Sequence, residues 1–120
     1  MNRGEVWLLN LAPTIGAEIQ KTRPVVIISS DSIGVLPLRV IVPLTDWKER
    51  YAEAAWMVRI ESGRMNGLTK PSAADSFQVR SVSTNRFVRC LGRLSAADLE
   101  AIVAALGLVV EAPLGDVRGG

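Results

Sequence analysis

The chain contains no histidine. That absence removes the side chain most used for acid–base chemistry near neutral pH. It also excludes Ser-His-Asp and Cys-His arrangements. There is one cysteine, Cys90, in 120 residues. An internal disulfide is impossible, and the chain reads as intracellular. With histidine gone as well, zinc has no ligand set and no metal site is expected. Cys90 stands in the apolar stretch FVRCLGRL and is expected as a small core residue. No apolar run approaches the ~20 residues of a membrane helix. The opening MNRGEVW lacks a signal-peptide apolar region. These features predict a soluble, cytoplasmic protein without membrane association. There is no Walker A loop, dinucleotide fingerprint or HExxH, and no cofactor is expected.

What is present is an uneven charge. The net charge is +2, but residues 1–94 hold 13 of the 14 bases and 8 of the 12 acids. Lysine occurs only at positions 21, 48 and 70, so the basic part is arginine-dominated. Arginine suits bidentate contact with phosphate, which makes a polyanionic partner one reading and an ordinary solvated surface the other.

Nearly half the residues are apolar, enough for one domain with a real core. Residues 1–110 are expected to form it, with 111–120 a flexible tail. Strands are predicted at Glu5–Asn10, 24–30, 38–45, 56–62, 76–82 and 86–95. The unbroken run Val25–Ile28 suggests burial on both faces. Pro24 fits a strand start, and Pro43 marks an edge or bulge. The segment DWKERYAEAA reads as a helical turn or loop. The long connection from Ala12 to Thr22 has the character of a binding loop. From Ser95 to Val110 the period becomes helical, with Leu99, Ile102, Val103 and Leu106 on one stripe that needs cover from the sheet or a partner chain. Ser95 and Asp98 approximate a capping box. The class is therefore mainly β with a C-terminal helix, an α+β domain around a twisted or barrel-like sheet.

The candidate chemical residues are polar groups at strand ends. Arg23 stands at the mouth of a buried strand, where it either covers the strand end or points at an anion. Thr45 closes the strand VIVPLT, a position where a hydroxyl commonly bonds local backbone. Gln78 and Arg80 alternate with Phe77 and Val79, which places the pair on one strand face.

Four collinear segments resemble the MazF/PemK toxin family of type II toxin–antitoxin endoribonucleases. They are RGEVWLLNLAPTIGAEIQKTRPVVIISSD, VIVPLTD, GLTKPSAADSFQVRSVSTNRF and LGRLSAADLEAIVAALGLVV, and they span about residues 3–110. The resemblance implies an SH3-like antiparallel barrel of the CcdB/PemK type, forming a homodimer. It implies metal-independent, sequence-selective cleavage of single-stranded RNA, in which a 2′-hydroxyl attacks the adjacent phosphate to leave 2′,3′-cyclic phosphate and 5′-hydroxyl ends. It also implies a cognate antitoxin as partner. The family's catalytic arginine and threonine match Arg23 and Thr45. Its loop glutamate matches Glu18, a candidate general base, since arginine is a poor proton acceptor. Thr14, Lys21, Gln78, Arg80 and Arg86 become candidate RNA contacts. Two positions depart from the family's pattern: Ile19 replaces a common glutamine, and Phe77 replaces an acid before Gln78, with Asp75 two residues earlier. Both bear on base recognition. Phe77 or Trp47 could stack on a base. Two other functions were weighed. A CcdB-like gyrase poison relies on a C-terminal Trp-Gly-Ile, whereas this chain ends Val117-Arg118-Gly119-Gly120. An SH3-like interaction module needs exposed aromatic grooves, and six aromatics argue against it.

Overall fold

Arginine and proline give way to Val25-Val26-Ile27 within one six-residue strand, and that strand organises the molecule. The computed structural model describes residues 1–11, 16 and 22–113. Strands β1 (Glu5–Asn10), β2 (Thr22–Ile27) and β3 (Leu38–Asp46) pair consecutively and antiparallel. β4 (Met57–Ile60) and β5 (Ser72–Asp75) extend the sheet beyond the far end of β3. β6 (Arg80–Ser83) pairs with the near end of β3, and β7 (Phe87–Arg93) returns to β1. Helix α1 (Ala96–Val109) follows. The segment between β4 and β5 reaches back to β7, where Arg93 N–H donates to Met65 O at 2.8 Å. This link joins the two ends of the strand order and gives the expected SH3-like barrel.

The β4–β5 segment meets β7 backbone to backbone. A Cβ on Gly92 would run into Met65 and Asn66, and one on Gly67 into Leu91. Gly67 also has φ +73°, which side chains rarely adopt. Pro43 is fully buried in a central strand. It lies where β3 changes partner, after the β6 ladder ends at Ile41 and before the β5 ladder begins at Leu44. The predicted interruption is real, but it is a partner switch in mid-strand.

The predicted strand 76–82 is the main correction. Ser76–Gln78 form a 3-10 turn, the strand begins only at Arg80, and a further strand, Ser72–Asp75, lies in what reads as loop. Ala73 and Ala74 are fully buried there. Cys90 is also corrected, since it is exposed on β7. The segment DWKERYAEAA contains a 3-10 turn at Glu49–Glu53.

Alternation along the strands divides two clusters. Val6, Val26, Val42 and Leu44 pack with Leu99 and Ile102 of α1. Leu9, Val25, Ile27, Ile41 and Val82 form the second cluster on the opposite face, flanked by Trp7 and Phe87. β2 is therefore buried on both faces, as its apolar run predicts. Trp7 and Phe87 meet edge to face at 5.6 Å. The helix stripe is rotated from its predicted position: Leu99, Ile102 and Ala105 are buried by the protein's own sheet, while Val103 is 37 % exposed. Ser95 Oγ accepts from Asp98 N–H at 3.1 Å, as the N-cap reading expects.

Glu5 ties the N-terminus to the barrel. It accepts from Asn2 N–H and Trp7 Nε1 and lies 3.4 Å from the terminal ammonium. Burial raises its pKa, but these bonds and the nearby positive charge outweigh burial and leave it below the usual carboxylate value.

Candidate active site

The β2–β3 ladder runs Ile27 with Ile41, Val26 with Val42 and Val25 with Pro43. The ladder ends there, so Arg23 and Thr45 each lie two residues beyond its last pair, on adjacent strands. Arg23 pairs with Leu9 on β1, and Thr45 with Ala73 on β5. Residues two apart on a strand share a face. Arg23 therefore lies on the face of Val25 and Ile27, and Thr45 on that of Ile41. Arg80 pairs with Ile41 and joins the same face. Three of the sequence candidates thus share the face of the second cluster, Arg23 and Thr45 beyond the last β2–β3 pair and Arg80 beside Ile41, four residues before Thr45.

All three are half-buried. Among the described residues the Thr45 hydroxyl makes no hydrogen bond, so the local backbone bond considered for it is not formed. The Arg80 guanidinium likewise has no ion pair or hydrogen bond among them. A guanidinium and an uncommitted hydroxyl on adjacent strand ends can donate to one anionic group from fixed positions.

Gln78 is held differently from the prediction. It closes the 3-10 turn between β5 and β6, and its Nε2 donates to Asp75 Oδ2 at 3.2 Å. Asp75 caps the turn, its other oxygen accepting from Phe77 N–H at 3.1 Å. Burial pushes the Asp75 carboxyl above its ordinary value, partly offset by the bonds from Phe77 and Gln78. Ser76 Oγ donates to Ile102 O at 3.2 Å and fastens the turn to the helix. Sequence reasoning missed Asp75 as the residue that holds Gln78. The signal was available, because an aspartate two residues before a turn N–H is a common capping arrangement. Phe77 points outward, 62 % exposed, and meets Trp56 edge to face at 5.9 Å.

Arg86 directly precedes β7, and its Nη1 donates to Asn10 O at 3.2 Å, Asn10 itself pairing with Thr22 beside Arg23. Trp47 follows Thr45 closely, but its ring is already engaged. The Arg59 guanidinium lies 5.1 Å from its centroid, and Tyr51 meets it edge to face at 5.9 Å. Glu18, Thr14, Lys21 and Ile19 lie outside the described residues. Among the described residues no three His, Cys, Asp or Glu side chains gather as a metal would require, and no helix is long and apolar enough to cross a membrane.

Comparison with known proteins agrees with this architecture. Residues 2–110 match the family model described as PemK-like, MazF-like toxin of type II toxin-antitoxin system. The chain is 33 % identical over 114 residues to Endoribonuclease MazF9 of Mycobacterium tuberculosis, covering 90 % of this chain and 94 % of that protein. In fold it resembles the crystal structure of MazF from Deinococcus radiodurans, with a TM-score of 0.76, 21 % identity and coverage of 92 % and 96 % of the two chains. It also resembles an endoribonuclease in complex with its cognate antitoxin from a mycobacterial species, with a TM-score of 0.73, 18 % identity and coverage of 94 % and 97 %. With a family match over nearly its whole length and a relative above 30 % identity across nine-tenths of it, the chain belongs to the PemK-like, MazF-like toxin family.

Proposed function

We propose that the protein is the toxin of a type II toxin–antitoxin pair, an endoribonuclease that cleaves single-stranded RNA at the Arg23–Thr45 rim. The observation that supports the reading is the position of Arg23 and Thr45 just beyond the last β2–β3 pair, on adjacent strands of a chain of this family. Arg23 spans two oxygens of the scissile phosphate, and Thr45 donates one further hydrogen bond as negative charge builds in the transition state. The nucleophile is the substrate's own 2′-hydroxyl, so stabilising the phosphorane is the main demand on the protein. Bond formation between O2′ and phosphorus expels the 5′-oxygen and leaves a 2′,3′-cyclic phosphate. Glu18 is assigned the proton from the 2′-hydroxyl, and Thr14, Lys21, Gln78, Arg80 and Arg86 the flanking RNA. The gyrase-poison alternative is not favoured by the family match.

Residues 1–110 act as one cytoplasmic domain in this reading, and the protein works as a homodimer opposed by its antitoxin. Ile33, Val35, Leu36 and, at the start of β3, Leu38 are exposed apolar side chains close in sequence, which a second copy would cover. Sedimentation at micromolar concentration should give about twice the 13.0 kDa chain mass.

The test is incubation with a long mixed-sequence RNA in excess EDTA. Cleavage should yield 5′-hydroxyl and cyclic-phosphate ends, and a 2′-O-methyl group at the cut site should block it. Intact RNA in an assay with folded protein, or activity that EDTA abolishes and magnesium restores, would count against this mechanism.

A further inference from the structure

Pro24 and Asp46 follow Arg23 and Thr45 directly, so their side chains leave the strands on the opposite face. Both line a pocket of about 230 Å³ at the mouth of the barrel. Leu8 pairs with Pro24 on one side and Arg89 on the other, making a row across three strands that forms part of the pocket lining. Lys70 stands at the wall, its Nζ 3.0 Å from Asp46 Oδ2. Arg89 is exposed and has no ion pair or hydrogen bond among the described residues. The pocket therefore combines apolar surface, one donor–acceptor pair and one uncommitted guanidinium. Its volume falls below the ~300–1,000 Å³ of clefts for drug-sized ligands, which suits a single base-sized group.

We propose that this pocket is a subsite for the ribonucleotide adjoining the scissile bond, with its base against Leu8 and Pro24 and its phosphate on Arg89. The proposal rests on the RNA-cleaving reading above. Consecutive residues lie about 3.8 Å apart, so the pocket and the cleavage rim are separated by one strand edge. An RNA strand bending over that edge delivers its next nucleotide into the pocket. Single-stranded RNA offers unstacked bases for such capture. The Asp46 carboxylate and Lys70 ammonium present an acceptor beside a donor to the base edge. Arg89 clamps phosphate oxygens bidentately. Two cations face one acid, leaving the mouth net positive.

The experiment uses a single-stranded RNA that spans the mapped cut site and carries a 2′-deoxy group there, so that it binds without being cut. Arg89→Ala should bind it about 10-fold more weakly at low salt. The slope of log affinity against log salt should flatten by about 0.7, the signature of one lost phosphate contact on a single strand. On cleavable RNA the loss should fall on KM. Asp46→Ala should relax base preference at one flanking position. Wild-type affinity, salt slope and base preference in both variants, with cleavage by the parent protein intact, would overturn the subsite alone. A parent protein that neither binds nor cleaves RNA would overturn the functional reading with it. If Arg89→Ala loses affinity for the cognate antitoxin but none for RNA, the pocket belongs to that partner and the subsite is wrong.

Discussion

The two faces of β2 and β3 are built from alternate residues of the same strands, yet they do different work. Val26, Val42 and Leu44 point into a cluster closed by α1. Val25, Ile27 and Ile41 point into a smaller cluster whose rim carries Arg23, Thr45 and Arg80. The first face is sealed by a helix over its buried part, whose residues serve stability, and only its end at Leu8, Pro24 and Asp46 lines a pocket. The second ends in polar groups, of which Thr45 and Arg80 make no hydrogen bond or ion pair among the described residues, so its rim can serve a ligand. Parity along the strand separates the roles without a separate loop or domain, and a substitution on one face should leave the other's property in place.

The strongest test of that division is Ile102→Ala. Ile102 is fully buried against the first cluster, and truncation should cost about 2–5 kcal/mol in denaturant unfolding. Cleavage measured well below the variant's melting temperature should remain near normal. Lost activity in a folded sample would show that the helix side shapes the rim.

Arg23→Ala is the converse, with an expected fall in cleavage of at least ~100-fold, about 2.7 kcal/mol of transition-state stabilisation, and an unfolding midpoint close to the parent's. Near-normal turnover by the folded variant would take Arg23 out of the mechanism. Thr45→Val should lose about 10-fold. Its stability should be unchanged or higher, because no internal hydrogen bond of that hydroxyl is present among the described residues to be lost. A large drop in stability would instead make the threonine a structural residue.

The smallest expected effect sharpens the comparison from outside either rim. Glu5→Gln should cost about 0.5–1.5 kcal/mol at pH 7, where the carboxylate holds its charge-assisted bonds. The Glu5 pKa is lowered by folding, so its contribution is present above the unfolded value of 4.5 and disappears as pH falls through the folded one. Parent and variant stabilities should converge in acid. An equal gap at pH 7 and pH 3 would assign the effect to packing.

Much of this fold is written in local pattern. β1, β2 and β3 announce themselves by apolar runs with proline or glycine at their ends, and α1 by its change of period and its Ser95 cap. β5 is different, because Ser72-Ala73-Ala74-Asp75 has no β-branched or aromatic residue. It is a strand because its small side chains are buried and its neighbours β3 and β4 supply ladders, which is tertiary information. The turn at Ser76–Gln78 fails for a related reason. SFQVRSV alternates acceptably, but Asp75 caps the turn and Ser76 bonds the helix, and both partners are outside the window that alternation reads. Cys90 reads as core from its apolar neighbours and is exposed because β7 has irregular register with β1. At the site, Arg23 and Thr45 stand out as polar ends of buried strands. That they stand at the same end of adjacent strands follows only from the β2–β3 register.

The placement of β7 has a consequence for the order of assembly. β1 lies between β2 and β7, and Trp7 pairs with Cys90, 83 positions later. Closing a contact of that span is entropically costly and slow relative to local pairings. On a ribosome, Arg23 and Thr45 emerge early, Arg23 on a strand whose neighbour β1 still has an open edge. The layer is completed only when β7 has been made. A nuclease built this way acquires its finished rim long after its candidate catalytic residues have emerged.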